Sequence, residues 1–129
     1  MSTRSNIKTI LVDFDGVLSS YQHGWQGYGA IADPPVPGAM FWLERMCRLF
    51  TVKIVSGRAK TWRGRRAIRR WLKRYGGGAW PLFKTIKITS KKVDDYVLMV
   101  DDRAWHFRGD NFPDISTVMT FIPWCKRRR

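Results

Sequence analysis

Short apolar runs closed by polar or turn residues alternate along this chain with stretches of helical periodicity. "TILVD" (Thr9–Asp13) is an apolar run ending in an acid and predicts a buried strand. Residues 16–36 are rich in Gly, Tyr, Trp and Pro and predict a loop that can hold a hairpin. A helix follows, with Pro37 suited to its first position because that N–H needs no partner. Met40, Leu43, Cys47 and Phe50 form its apolar stripe, and Glu44 and Arg48 make an i,i+4 pair on another face. "TVKIVS" (Thr51–Ser56) predicts a second strand. A second helix covers about Thr61–Tyr75, with Ile68, Trp71, Leu72 and Tyr75 inward, and Gly76–Gly78 end it. "IKIT" (Ile86–Thr89) predicts a third strand. "YVLMV" (Tyr96–Val100), apolar throughout, predicts a fourth and central one. "RAWHF" (Arg103–Phe107) is expected as a helical turn and "VMTF" (Val118–Phe121) as an edge strand.

Strands alternating with helices imply an α/β layer fold with a mostly parallel sheet. Ligands of such sheets sit beyond the carboxyl ends of the strands. Three strands end there in polar residues: Asp13, Ser56, and Asp101 with Asp102.

The length of 129 residues suggests one domain, over 1–125, with residues 126–129 as a basic tail expected to be disordered. No apolar run is long enough to span a bilayer, and "MSTRSNIKT" has no apolar signal core, so a cytoplasmic protein without membrane contact is expected. The two cysteines, Cys47 and Cys125, are too few for a disulfide framework, and no Cys/His cluster has zinc spacing. Charge changes the picture most. The formal net charge is +14, and between Glu44 and Asp94 there are 16 basic residues and no acidic one. Such a field attracts polyanions.

Against that background, Asp13 and Asp15 at the end of a buried strand need an explanation, because buried like charges repel and lose hydration. As turn and cap residues they would be unremarked. With Asp101 and Asp102 at a neighbouring strand end, they form instead the hard-oxygen set that Mg²⁺ takes. Gly16 allows a sharp turn beside them and brings N–H groups near an anion. Ser56 and the N–H groups after it suit phosphate oxygens, and Lys91 or Lys92 can supply an ammonium.

"DFDGVL", "VSGR", a lysine and "VLMVDDR", in that order, resemble the four motifs of the haloacid dehalogenase (HAD) superfamily of phosphotransferases. "DFDGVLSSY", "DPPVPGAM" and "VDDRAWHF" extend the resemblance, over about Thr9–Phe112, to small HAD-like proteins of bacteriophages and bacteria. The resemblance implies a three-layer Rossmann-like fold and a phosphatase working through an aspartyl-phosphate. Asp13 would be the nucleophile and Asp15 the general acid and base. Mg²⁺ would bind the Asp13 carboxylate, the Asp15 carbonyl and Asp102, with Asp101 orienting it or acting through water. Ser56, Gly57, Gly16 and a lysine would hold the phosphoryl group. Lys92 is favoured for that lysine, with Lys91, Lys87 and Lys84 as competitors.

Large cap domains of that superfamily have no counterpart in the roughly 20 residues between Gly16 and Pro37, so a short flap and an open, capless site are expected. Tyr21, His23, Trp25 and Tyr28 on it are either a stacking wall or packing for a glycine-rich loop, and His23 is not assigned to catalysis. On the second helix, Arg66, Arg69, Arg70 and Lys73 lie off the apolar stripe and are expected to contact nucleic acid. The expected substrate is thus a phosphorylated nucleic-acid end or a nucleotide. A phosphatase of small metabolites, and a basic nucleic-acid-binding accessory protein on the same scaffold, are the alternatives. Oligomeric state stays open.

Overall fold

The computed structural model describes residues 7–92 and 95–126. In chain order the elements are β1 (Thr9–Asp13), α1 (Ala39–Leu49), β2 (Thr51–Val55), α2 (Trp62–Gly76), α3 (Trp80–Phe83), β3 (Lys87–Thr89), β4 (Leu98–Val100) and α4 (Ile115–Thr120). Among the described residues the four strands form one all-parallel sheet in the order β3-β2-β1-β4. The chain is therefore an α/β protein whose sheet is compatible with a Rossmann-like arrangement.

Alternation along the strands sorts the core. Ile10, Val12 and Ile54 share a cluster with Leu43 of α1, Ile68 and Leu72 of α2 and Phe83 of α3. Leu11, between Ile10 and Val12, is equally buried but lies outside that cluster, as a period of two requires. The third layer implied by the resemblance is not supplied by α4, which buries none of its residues.

Several expectations are corrected. Pro37 is not the first helical residue: Gly38 takes a left-handed conformation (φ 86°) as the N-cap, so α1 starts at Ala39. The glycine run does end α2 as expected, at Gly76 with Gly77 (φ 53°) as its C-cap, and a 3₁₀ turn (Gly77–Ala79) and the short α3 follow. β4 is an edge strand rather than a central one, and Leu98 is exposed. An apolar run identifies a strand but not its neighbours. Val118–Thr120 belong to a helix, not a strand, because the Asp114 carboxylate accepts the Thr117 N–H (2.7 Å) and caps α4. Residues 104–108 form no helical turn. Asn111 pins that loop instead, its amide donating to the His106 carbonyl (2.9 Å) and its carbonyl oxygen accepting from the Arg108 N–H (2.6 Å). The expected disorder of the tail falls on 127–129, outside the described residues; Lys126 closes a 3₁₀ turn from Trp124. Among the described residues no helix is long and apolar enough to cross a membrane.

Candidate active site

The register brings the strand ends together. Asp13 pairs with Val55, so Ser56 follows beside it, and Val12 pairs with Val100, so Asp101 and Asp102 follow on the other side. Carboxylate oxygens of Asp13, Asp101 and Asp102 all lie within 4.8 Å of one another. A cavity of about 310 Å³ opens over them, lined among others by Asp13, Asp15, Ser56, Gly57, Asp102 and Arg103.

The turn after β1 is built to permit this approach. The Phe14 carbonyl accepts N–H groups from Leu18 and Ser19 (both 3.0 Å), and the Gly16 N–H donates to the Ser19 carbonyl (2.8 Å). Gly16 has φ 86°, and a Cβ there would stand 2.5 Å from an Asp102 oxygen. Only glycine meets both demands. Its contribution is thus to let Asp102 close on the turn.

Burial pushes the Asp13 carboxyl up to about 7; Asp101 and Asp102 add repulsion, while the Phe14 N–H (2.8 Å) opposes them. Asp102 is also raised, by burial and then by Asp101. Such a cluster either takes up a proton or needs a cation. Its donors are hard carboxylate oxygens, which fit Mg²⁺.

The Asp15 carboxylate is not part of this triad, although it lines the same cavity, and it pairs with Arg58. The guanidinium donates through Nε (3.2 Å) and Nη2 (3.1 Å), one bond to each oxygen. Burial raises the Asp15 pKa, and Arg58 partly opposes that. Arg58 is itself fully enclosed. Its Nη1 donates to the carbonyls of Gly27 (2.7 Å), Tyr28 (3.0 Å) and Ala30 (3.1 Å), and its Cζ lies 4.6 Å from the centre of the Trp25 ring. One arginine therefore orients Asp15 and fastens the flap. Ser56 is buried, and its hydroxyl oxygen accepts the Arg58 N–H (3.1 Å), which leaves its own O–H to donate.

Asp13, Asp15, Asp101, Asp102, Gly16, Ser56 and Gly57 are thus gathered at one sheet edge. Lys92 and Lys91 are not among the residues lining the cavity. They follow β3, two inter-strand spacings from β1, about 10 Å away. Lys84 and Lys87 do not line it either; the cavity's cations are Arg58, Lys60 and Arg103. Tyr21, Trp25 and Tyr28 form its wall. His23 is tied to Asp33, which also accepts the His23 N–H (2.9 Å). Sequence reasoning missed Arg58, Lys60 and Cys125. The "SGR" tripeptide was the available signal for the first. Cys125 offered none: the thiol reaches Asp102 (3.8 Å) because the Trp124 indole N–H donates to the Gly16 carbonyl (2.6 Å) across more than a hundred residues.

No family model matches the chain, and no curated protein or solved structure matches it.

Proposed function

We propose that this protein is a Mg²⁺-dependent phosphomonoester hydrolase of the HAD type. The observation that carries the reading is the convergence of Asp13, Asp101 and Asp102 within 4.8 Å at the carboxyl edge of a parallel sheet, beside Asp15 and Ser56. Asp13, Asp102 and the Asp15 carbonyl would hold the cation, with Asp101 supporting; bound there, it would neutralise charge on the carboxylates and on the phosphoryl group.

In this reading Asp13 attacks phosphorus and the bond to the leaving oxygen breaks, giving an aspartyl-phosphate and an alcohol. Asp15 protonates that oxygen, then takes a proton from the water that releases phosphate. Arg58 keeps the Asp15 carboxyl in place for both transfers. The Ser56 O–H and the Gly57 N–H bind phosphoryl oxygens. Lys60 and Arg103 line the cavity, which favours them over Lys92 as the remaining cations.

The test is phosphate release from p-nitrophenyl phosphate with Mg²⁺ or EDTA, for wild type and Asp13→Asn. Release should require Mg²⁺ and fall at least about a thousandfold in the variant. Equal release by wild type and Asp13→Asn, or release indifferent to EDTA, would sink the reading.

A further inference from the structure

The catalytic cavity does not end at the flap. Tyr28 also lines a larger depression of about 650 Å³, bounded by Gln26–Ala30 on one side and by Trp62, Arg63, Arg66 and Arg70 of α2 on the other. A third depression, of about 400 Å³, shares Gly29, Ala67 and Arg70 with the second and continues to Arg74. The second and third make one track along α2, and Tyr28 borders both that track and the cavity over Asp13.

The floor of the track is cationic. Arg63, Arg66, Arg70 and Arg74 are exposed, and none forms an ion pair with a carboxylate among the described residues. The absence of any acid between Glu44 and Asp94 leaves them unneutralised by neighbours in sequence. Spacings of three and four residues put these side chains along one face of α2 over about 16 Å, with steps of about 6 Å. That step is comparable with the separation of successive phosphates along an extended strand. Aromatic faces stand among the cations: Trp62 is 60% exposed, and Tyr28 at the cavity mouth is exposed as well.

Two other cationic side chains of α2, Arg69 and Lys73, stand apart from these four. Arg69 does not belong to the track: its guanidinium donates to the carbonyls of Phe83 (3.4 Å), Lys84 (3.1 Å) and Ile86 (2.7 Å) and so closes the end of α3. Lys73 is exposed but lines none of the three depressions.

We infer that this track binds a single nucleic-acid strand, its phosphodiesters on Arg63, Arg66, Arg70 and Arg74 and its bases against Trp62 and Tyr28. Repeated cations alone would suit any polyanion. Exposed aromatic faces between them suit unstacked bases, which an acidic peptide lacks and a duplex keeps inside. The placement of the strand's terminal phosphate at Asp13 rests on the phosphatase reading; the binding does not.

The test is fluorescence anisotropy with a labelled, unphosphorylated oligodeoxythymidylate of about twelve nucleotides, over a salt series, using full-length Asp13→Asn protein. Arg66→Glu with Arg70→Glu should lower affinity at least about tenfold and flatten the slope of log K against log salt by roughly 1.4, about 0.7 per lost cation. Arg66→Ala with Arg70→Ala should lose affinity in the same direction, less steeply. Arg45→Glu with Lys87→Glu makes the same change in net charge at positions lining none of the depressions and should stay within about threefold of the parent. Equal losses in both reversed pairs would overturn the site in favour of overall charge. No loss in the first pair would overturn it outright, and so would a phosphopeptide or a duplex of the same charge competing as well as the strand. Because the strand carries no terminal phosphate and the protein no nucleophile, failure of phosphate release leaves this result unaffected.

Discussion

Asp13 carries the tension of the site in a single carboxyl. Its strand buries it, its neighbours are acids, and its pKa rises to about 7. A carboxyl that holds its proton more tightly folded than unfolded makes the native state bind more protons between about 4 and 7. Stability contributed by that proton is present at low pH and lost as pH rises through the folded value. Metal-free protein should therefore melt higher at about pH 5 than at about pH 8, all else equal. Asp13→Asn should melt higher than wild type at the upper pH, by roughly 4 °C for each kcal/mol relieved, and about equally at the lower. Mg²⁺ should raise wild type at the upper pH and raise the variant less. Differential scanning fluorimetry reads all three; a wild type and variant with parallel pH profiles would show that Asp13 is not the stressed group. At this scale the acids were legible in the sequence, because an apolar run ending in Asp has few inexpensive explanations. Arg58 was not. Its importance comes from five hydrogen bonds to partners 28 to 43 residues away, which no local pattern records.

Between residue and fold, α2 shows how an element is positioned by what it lacks. Thr61 caps it, its hydroxyl oxygen accepting the Gly64 N–H (3.1 Å). Gly64 is buried in the first turn, and a Cβ there would lie 1.7 Å from the Arg58 carbonyl oxygen. Helix propensity disfavours glycine at that point; close packing requires it. Gly64→Ala should destabilise the fold by about 3 kcal/mol or more, since backbone must move, and should loosen the Arg58 clamp on Asp15 and the flap. Gly78→Ala, where a Cβ meets nothing within 4 Å, should change stability by no more than about 0.5 kcal/mol. Urea denaturation compares them, and a Gly64→Ala protein as stable as wild type would refute the packing account. The helices α1 and α2 were readable from apolar spacing of three and four, as were the strands from apolar runs. The start of α1 after Gly38 and the helical state of α4 depended on a left-handed glycine and a single capping bond, and both defeat periodicity.

For the molecule as a whole, the decisive quantity is charge. A net charge of +14 on 129 residues repels itself in the folded state. Raising sodium chloride from about 0.01 M to about 0.15 M shortens the Debye length from about 30 Å to about 8 Å and should raise the melting temperature measurably; a fall or no change would mean the arginines are better paired than their surroundings indicate. The Arg58–Asp15 pair, in which the arginine is enclosed and the carboxylate largely so, should be less affected than the exposed arginines. Sequence alone determined the α/β alternation, the parallel sheet, the acids at the strand ends and the excess of cations, because each is written in local spacing or in simple composition. Tertiary structure decided the rest: β4 at the edge, Lys92 away from the cavity, Arg69 bonded to α3 and Trp124 and Cys125 brought against the first turn. The physical reason is the same in each case. Strand order, helix rotation and long-range hydrogen bonds follow from which surfaces bury one another, and burial is a property of the assembled chain rather than of any stretch of it.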